Sequence, residues 1–389
     1  MRYRIKRKYL NSPDLVIYSG AAAGTTLSSV KRDFELPRIA LPLDRIEIVA
    51  TIVTGTTAGS VVKFLPAGLI ESIRSIKLTR TMADGSTNLT HSLSGPALFE
   101  WMVNTQLGSV DDGTKTCYQL GGSYNSNAGA GGSAGVLPAA STTYTFKLIL
   151  PCANPQFADG PAIPLRTFSC ADVHNDSQPP VLTIETEASD TFAATATTKA
   201  TYASFTLAIC CHYADISPEV NKFIMDRGGY LSNDLIETTK KTFVSTGPDF
   251  IKLPSPGSAS AVMLRCWTNN STVSGNAARG LPSAAGDVWQ LCYAEDPVDE
   301  FKLADQQRLA LESLGDPAWS MPGVYFFDYL TNAVGQDPSA DLGSVRPLPA
   351  GIDTKIVGNI VATNNVDIRA VVQRYFGNLS PSRFAKAGA

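Results

Sequence analysis

Charge is scarce in this chain. Only 17% of its 389 residues are Asp, Glu, Lys or Arg, against roughly 25% in an ordinary soluble protein. With 32 basic and 35 acidic side chains the net charge is −3, which excludes a basic protein built to coat a polyanion. Histidine is rarer still, at three residues. No window approaches the ~18 consecutive apolar residues of a membrane-spanning helix. The seven cysteines, Cys117, Cys152, Cys170, Cys210, Cys211, Cys266 and Cys292, are odd in number and contain no C-x-x-C pair, so we expect buried thiols made in a reducing compartment. Neither G-x-x-x-x-G-K-[ST] nor H-E-x-x-H occurs. What is present in quantity is apolar side chain, 44% of the total, enough for a large core. Little surface charge over such a core favours burial against neighbours, and so a subunit of an assembly over a lone soluble enzyme.

The charge that does occur is unevenly placed. Residues 1–10 hold Arg2, Arg4, Lys6, Arg7 and Lys8 and no acid, leaving −8 on the remaining 379 residues. A basic arm on an acidic body points to a phosphate-bearing partner, nucleic acid or anionic lipid. The arm is not read as a signal peptide. Its apolar stretch Leu15-Val16-Ile17-Tyr18 is short, and Asn11-Ser12-Pro13-Asp14 interrupts it with turn formers. The expectation is a chain that is not secreted.

The dominant period is two. Ile46, Ile48 and Ile52 alternate with polar neighbours, as do Tyr144, Phe146, Leu148 and Leu150, and Phe205, Leu207, Ile209, Cys211 and Tyr213. Such alternation marks antiparallel strands with one face on a core. Long Gly/Ser/Thr/Pro/Asn connections between them suit sandwiches. Three helices are predicted: 96–106 behind Ser94-Gly95-Pro96, 302–314 ending at Gly315, and a short one after Ser217-Pro218 that breaks at Gly228-Gly229.

The order of elements repeats. Strand 74–79 leads to the 96–106 helix, then to strands near 143–150, 181–187 and 203–213. Strand 287–294 leads to the 302–314 helix, then to strands near 323–330, 354–362 and 367–376. Shorter strand candidates precede each set, at 32–36, 43–54 and 60–65 and at 242–246 and 261–268. We therefore expect an all-β chain of two tandem eight-stranded jelly-roll sandwiches, each with a flanking helix, joined by a short helical linker. The boundaries are a basic N-terminal arm at 1–24, the first jelly roll at 25–215, the linker at 216–241, the second jelly roll at 242–376 and a C-terminal arm at 377–389.

Motifs for chemistry are weak. Gly131-Gly132-Ser133-Ala134-Gly135 matches G-x-S-x-G in letters, but lies in a Gly/Ser/Asn/Ala tract without the strand and helix that a nucleophile elbow needs. His174-Asn175-Asp176 reads as a polar turn before Pro179-Pro180. Cys210, Cys211 and His212 are consecutive strand residues whose side chains diverge to opposite faces, so they would not converge on a metal. Glu185 and Glu187 share a strand face roughly 6.6 Å apart, a spacing that could suit glycoside hydrolysis. The alternative function is accordingly a double jelly-roll glycan-binding or glycan-cleaving protein, which would display exposed aromatics. Trp101, Trp267, Trp289 and Trp319 are scattered instead. No catalytic residue, cofactor or metal is assigned.

The arrangement resembles the double jelly-roll major capsid proteins of the tectivirus and adenovirus-type lineage. The residues that carry the resemblance are Leu65-Pro66-Ala67-Gly68-Leu69-Ile70-Glu71-Ser72-Ile73-Arg74, followed by a Trp-bearing helix ending Val103-Asn104-Thr105. In the second half they are Met321-Pro322-Gly323-Val324-Tyr325-Phe326-Phe327-Asp328 and the closing Arg369-Ala370-Val371-Val372-Gln373-Arg374-Tyr375-Phe376. The correspondence runs in order over roughly residues 30–376. The basic residues 1–10 and the Gly-rich loop 121–135 depart from the tectivirus pattern. The resemblance implies a non-enzymatic structural subunit of a bacteriophage virion, assembled in the host cytoplasm, whose homotrimers form pseudo-hexagonal capsomers of an icosahedral shell. Its partners would be neighbouring capsomers, minor capsid, penton or spike proteins and, in tectivirus-type shells, an internal lipid membrane. Arg2, Arg4, Lys6, Arg7 and Lys8 would then meet lipid or genome on the inner face. Arg383 and Lys386, the only charges of the C-terminal arm, would meet adjacent capsomers.

Overall fold

The computed structural model describes residues 4–19, 28–54, 68–105, 143–153, 176–188, 202–219, 221–222, 232–243, 247–268, 278–279, 288–302, 324–328, 346–360 and 366–376. The first half holds β1 (Arg4–Tyr9), β2 (Val16–Ser19), β3 (Lys31–Glu35), β4 (Leu43–Thr54), β5 (Ile73–Thr81), β6 (Thr87–Leu93), helix α1 (Gly95–Asn104), β7 (Thr143–Pro151), β8 (Val181–Thr186) and β9 (Tyr202–Asp215). The second half holds β10 (Ser232–Glu237), β11 (Lys241–Phe243), β12 (Gly247–Lys252), β13 (Gly257–Thr268), β14 (Ala278–Arg279), β15 (Val288–Tyr293), β16 (Asp296–Lys302), β17 (Val324–Asp328), β18 (Arg346–Leu348), β19 (Thr354–Ile360) and β20 (Val366–Phe376).

These strands form three sheets. One runs β1-β9-β4-β7, with β2 also on β9, and a four-stranded sheet runs β12-β19-β15-β16. Between the halves a single eleven-stranded sheet is continuous, in the order β14-β13-β20-β10-β6-β5-β8-β3, with β11, β17 and β18 off that path. Each half is thus a sandwich, and the two share one sheet. The alternation seen in sequence places Ile46, Ile48 and Ile52 of β4, Phe146, Leu148 and Leu150 of β7, and Phe205, Leu207, Ile209, Cys211 and Tyr213 of β9 in the first core.

The two halves meet through β10. It pairs antiparallel with β20 from Ser232↔Phe376 to Glu237↔Val371 and parallel with β6 at Leu235↔His91 and Ile236↔Ser92. The segment expected as a short helical linker, 216–241, holds a strand as well as a helical turn. Asn221 donates to the Ser217 carbonyl in a helical turn, but the same segment also supplies the strand that fuses the sheets. Residues 4–9 of the basic N-terminal arm belong to the first sandwich. β1 pairs with β9 over six residues, Arg4↔Asp215 to Tyr9↔Cys210, because backbone hydrogen bonding needs no apolar side chains of its own. The predicted helix at 302–314 begins where Lys302 ends β16; positions 303–314 lie outside the described residues, as does the strand expected at 60–65.

Helix α1 departs from a one-sided amphipathic helix. Ser94 caps it, its side chain accepting from the Ala97 amide, and Pro96 stands in the first turn. Ala97, Leu98, Phe99, Glu100, Trp101 and Met102 are all buried, which is the signature of a helix enclosed on every side. One side meets β7, where the Ile149 amide lies 3.0 Å from Met102 Sδ. The other meets the back of the second half's sheet, where the Trp101 and Phe326 rings stand edge to face at 5.2 Å. Strand alternation explains this double contact. On β13 Ala261 and Met263 join the first core, while Val262, Leu264 and Cys266 join the second.

Candidate functional site

At the seam between the halves lies a buried ionic cluster. Arg265 of β13, 2% exposed at its side chain, sits among apolar neighbours and extends to α1. Its Nε donates to Glu100 Oε2 at 2.5 Å, Nη1 donates to Ser94 Oγ at 3.1 Å, and Nη1 also pairs with Glu237 of β10. Glu237 accepts from the Ser94 amide at 2.8 Å and lies 3.4 Å from Arg369 of β20. Burial acts to raise the Glu237 pKa, but Arg265, Arg369 and Ser94 together outweigh it and hold the group below its ordinary value. The cluster ties the cap of α1, β10, β13 and β20 together. A single arginine inside Ala261-Val262-Met263-Leu264-Arg265-Cys266-Trp267 was the sequence signal for it, because a buried charge demands a partner.

The basic residues of the N-terminal segment are placed as follows. Arg4, Lys6, Arg7 and Lys8 lie on β1, an edge strand of the first sandwich, and all four are exposed. Lys6 forms an ion pair with Asp215 at 3.2 Å. Arg7 stands in register with His212, a buried residue whose Nε2 is 3.2 Å from Glu47. Burial depresses the His212 pKa, and Glu47 opposes that shift. Arg2, Arg383 and Lys386 lie outside the described residues.

The chemistry candidates fall apart on inspection of their surroundings. Cys211 turns into the core while Cys210 and His212 take the opposite face of β9, so the three do not converge. Asp176 is held by Arg80 in a buried two-pronged pair, with contacts of 2.8 and 2.7 Å. Ser133 and His174 lie outside the described residues. Arg74 sits against Glu185 at 3.3 Å and Glu187 at 3.7 Å, so both carboxylates of the spaced pair face a cation. Trp101 and Trp289 are fully buried and build no sugar-stacking platform, while Trp319 and the side chain of Trp267 lie outside the described residues. Among the described residues no group of three or more His, Cys, Asp or Glu side chains could hold a metal ion, and no helix is long and apolar enough to cross a membrane.

Comparison with known proteins rests on structure alone. No protein-family model matches the chain, and no curated protein matches it by sequence. Solved structures do match, over nearly the whole length of both chains. The crystal structure of the STIV major capsid protein superposes with a TM-score of 0.58 at 15% identity, covering 99% of each chain. A chain in the atomic structure of Sulfolobus turreted icosahedral virus gives 0.62 at 14% identity, covering 98% of this chain and 97% of that one. PBCV-1 VP54, fitted into a reconstruction of the virophage Sputnik, gives 0.51 at 10% identity, covering 96% and 94%. At these identities the likeness is one of fold, and the chain has the tandem jelly-roll fold of double jelly-roll capsid proteins.

Proposed function

We propose that the chain is a major capsid protein, a structural subunit whose homotrimers form pseudo-hexagonal capsomers that tile an icosahedral virion shell. The observation that carries this reading is the end-to-end match of two fused sandwiches to capsid proteins. Physical features support it. Two sandwiches welded by one sheet give a rigid block with two similar sides, suited to repeated lateral contact. The low charge noted above lowers the desolvation cost of those contacts. The ionic groups buried most deeply, Arg265 with Glu100 and Arg80 with Asp176, serve internal packing, and we assign no catalytic role to any residue.

The test is light scattering with negative-stain imaging of the purified protein. Three copies of the 41.3 kDa chain would give about 124 kDa, with hexagonal capsomers or shells in the images. A 41.3 kDa monomer at micromolar concentration, without higher assemblies at any salt, would refute the reading. The trimer interface should exceed ~2,000 Å² in total, as obligate assemblies do.

A further inference from the structure

Two edge strands of this molecule carry opposite charge. β1 ends the first half's outer sheet and β16 ends the second half's. Residues 4–9 hold Arg4, Lys6, Arg7 and Lys8 and no acid. Residues 295–300 hold Glu295, Asp296, Asp299 and Glu300 and no base, with Lys302 closing the strand. The other described sheet edges differ: β3 and β12 mix both signs, and β7 and β14 carry one basic residue each. Exposed apolar side chains gather at the same two places. Five large ones are exposed among the described residues. Of these, Tyr9 (72%) ends β1, Val16 (46%) starts β2 on the same side of β9, and Val298 (43%) lies on β16, while Leu89 and Ile352 lie elsewhere.

Their position in the fold is as informative as their charge. In the first half the opposite edge, β7, is the one that packs on α1 at the seam. In the second half the opposite edge, β12, is the one near the seam: it contacts β20, and its Asp249 pairs with Lys241 of β11. β1 and β16 are therefore the edges of the two outer sheets that lie away from the seam, one in each half. Each copy presents a basic edge on one half and an acidic edge on the other. Like edges repel, so neither strand pairs with its own counterpart, and the unlike pair is the attractive combination.

We propose that β1 of one copy docks along β16 of a second copy, first half against second half, in a head-to-tail contact that closes into a ring. Such a contact uses two different patches, and it ends growth only where the rotation closes. This inference rests on the trimer proposed above and names the surfaces that build it. Some charge is already used within the chain, by Lys6 with Asp215 at 3.2 Å and Glu295 with Lys355 at 2.7 Å. Arg7, Lys8 and Asp296 supply further charge of the required sign.

The experiment is a charge-reversal cycle on the full chain, read by sedimentation velocity at low and high salt. Lys6→Glu, Arg7→Glu and Lys8→Glu together, or Asp296→Lys, Asp299→Lys and Glu300→Lys together, should each weaken trimer formation at least ~100-fold at low salt. Combining both sets restores opposite charge and should return assembly to within ~10-fold of wild type. If both single sets assemble as wild type, or the combined chain stays dissociated, the docking is wrong while the trimer can stand. If wild type itself is monomeric, the trimer reading fails instead. Zero-length carbodiimide coupling of wild-type trimer gives a second readout. Peptides joining Lys6 or Lys8 to Asp296, Asp299 or Glu300 between chains are expected, and links confined to Asp215 would overturn the proposal. So would a β1-reversed chain that keeps its trimer but loses binding to phosphatidylserine vesicles, because the strand would then face lipid.

Discussion

Replacing Arg265 with methionine tests the seam. The substitution keeps the apolar stem but removes the cation that faces Glu100, which is fully buried, and Glu237. Arg369 remains 3.4 Å from Glu237, so Glu100 suffers most. Breaking a buried pair by deleting one partner costs about 3–5 kcal/mol. Arg265→Met should therefore be several kcal/mol less stable than wild type at pH 7. Wild type should lose stability as pH falls below about 4.5, where glutamate in the unfolded chain takes up a proton that Glu237, held low in the fold, still resists. Guanidinium unfolding from pH 3 to 8 reads both effects. A variant within ~1 kcal/mol of wild type at pH 7, with the same pH slope, would show that the cluster does not stabilise the seam. Replacing the cluster as a whole, with Glu100→Gln and Glu237→Gln added to Arg265→Met, should recover much of the loss, because no unpaired charge is left inside.

Gly358 of β19 lies opposite Trp289 of β15, and a β-carbon there would fall 2.3 Å from the indole ring. Gly358→Ala should cost about 1–3 kcal/mol and shift the unfolding midpoint followed by tryptophan emission; an unchanged midpoint would contradict the packing. His91 is fully buried, with Nε2 2.7 Å from the Pro151 carbonyl, and burial lowers its pKa to about 4. A histidine kept neutral in the fold gives stability that is complete above pH 6.5 and lost as pH falls towards 4, by up to ~3 kcal/mol. His91→Gln should remove that component of the acid dependence, and an identical pH profile would refute it.

The long strands were legible because their buried faces alternate cleanly. β4 spans Leu43–Thr54, the range expected for it, and β7, β9, β13 and β20 lie within a few residues of expectation. β1 escaped notice because its sequence, Arg-Ile-Lys-Arg-Lys-Tyr, has no apolar face; it is held by the backbone of β9. β10 escaped for a related reason, since Ser-Asn-Asp at its start resembles a loop, and its place between β6 and β20 depends on residues more than a hundred positions away. Helix α1 was legible in its start signal and not in its enclosure, because sequence shows which residues are apolar and not how many surfaces surround them. Glu100 within that apolar helix and Arg265 within its apolar strand were each visible as anomalies, and only the fold joins them.

The continuous eleven-stranded sheet has a mechanical consequence. Where two domains touch through side chains they can pivot, because interfaces of that kind slide. Here β10 is laced to both neighbours by peptide groups, and turning one sandwich against the other would tear several ladder bonds at once. The pair behaves as a single plank. A surface tiled from such planks can curve only along the joints between chains, so the angles that decide the radius of the proposed shell are set outside the fold, at the plank ends.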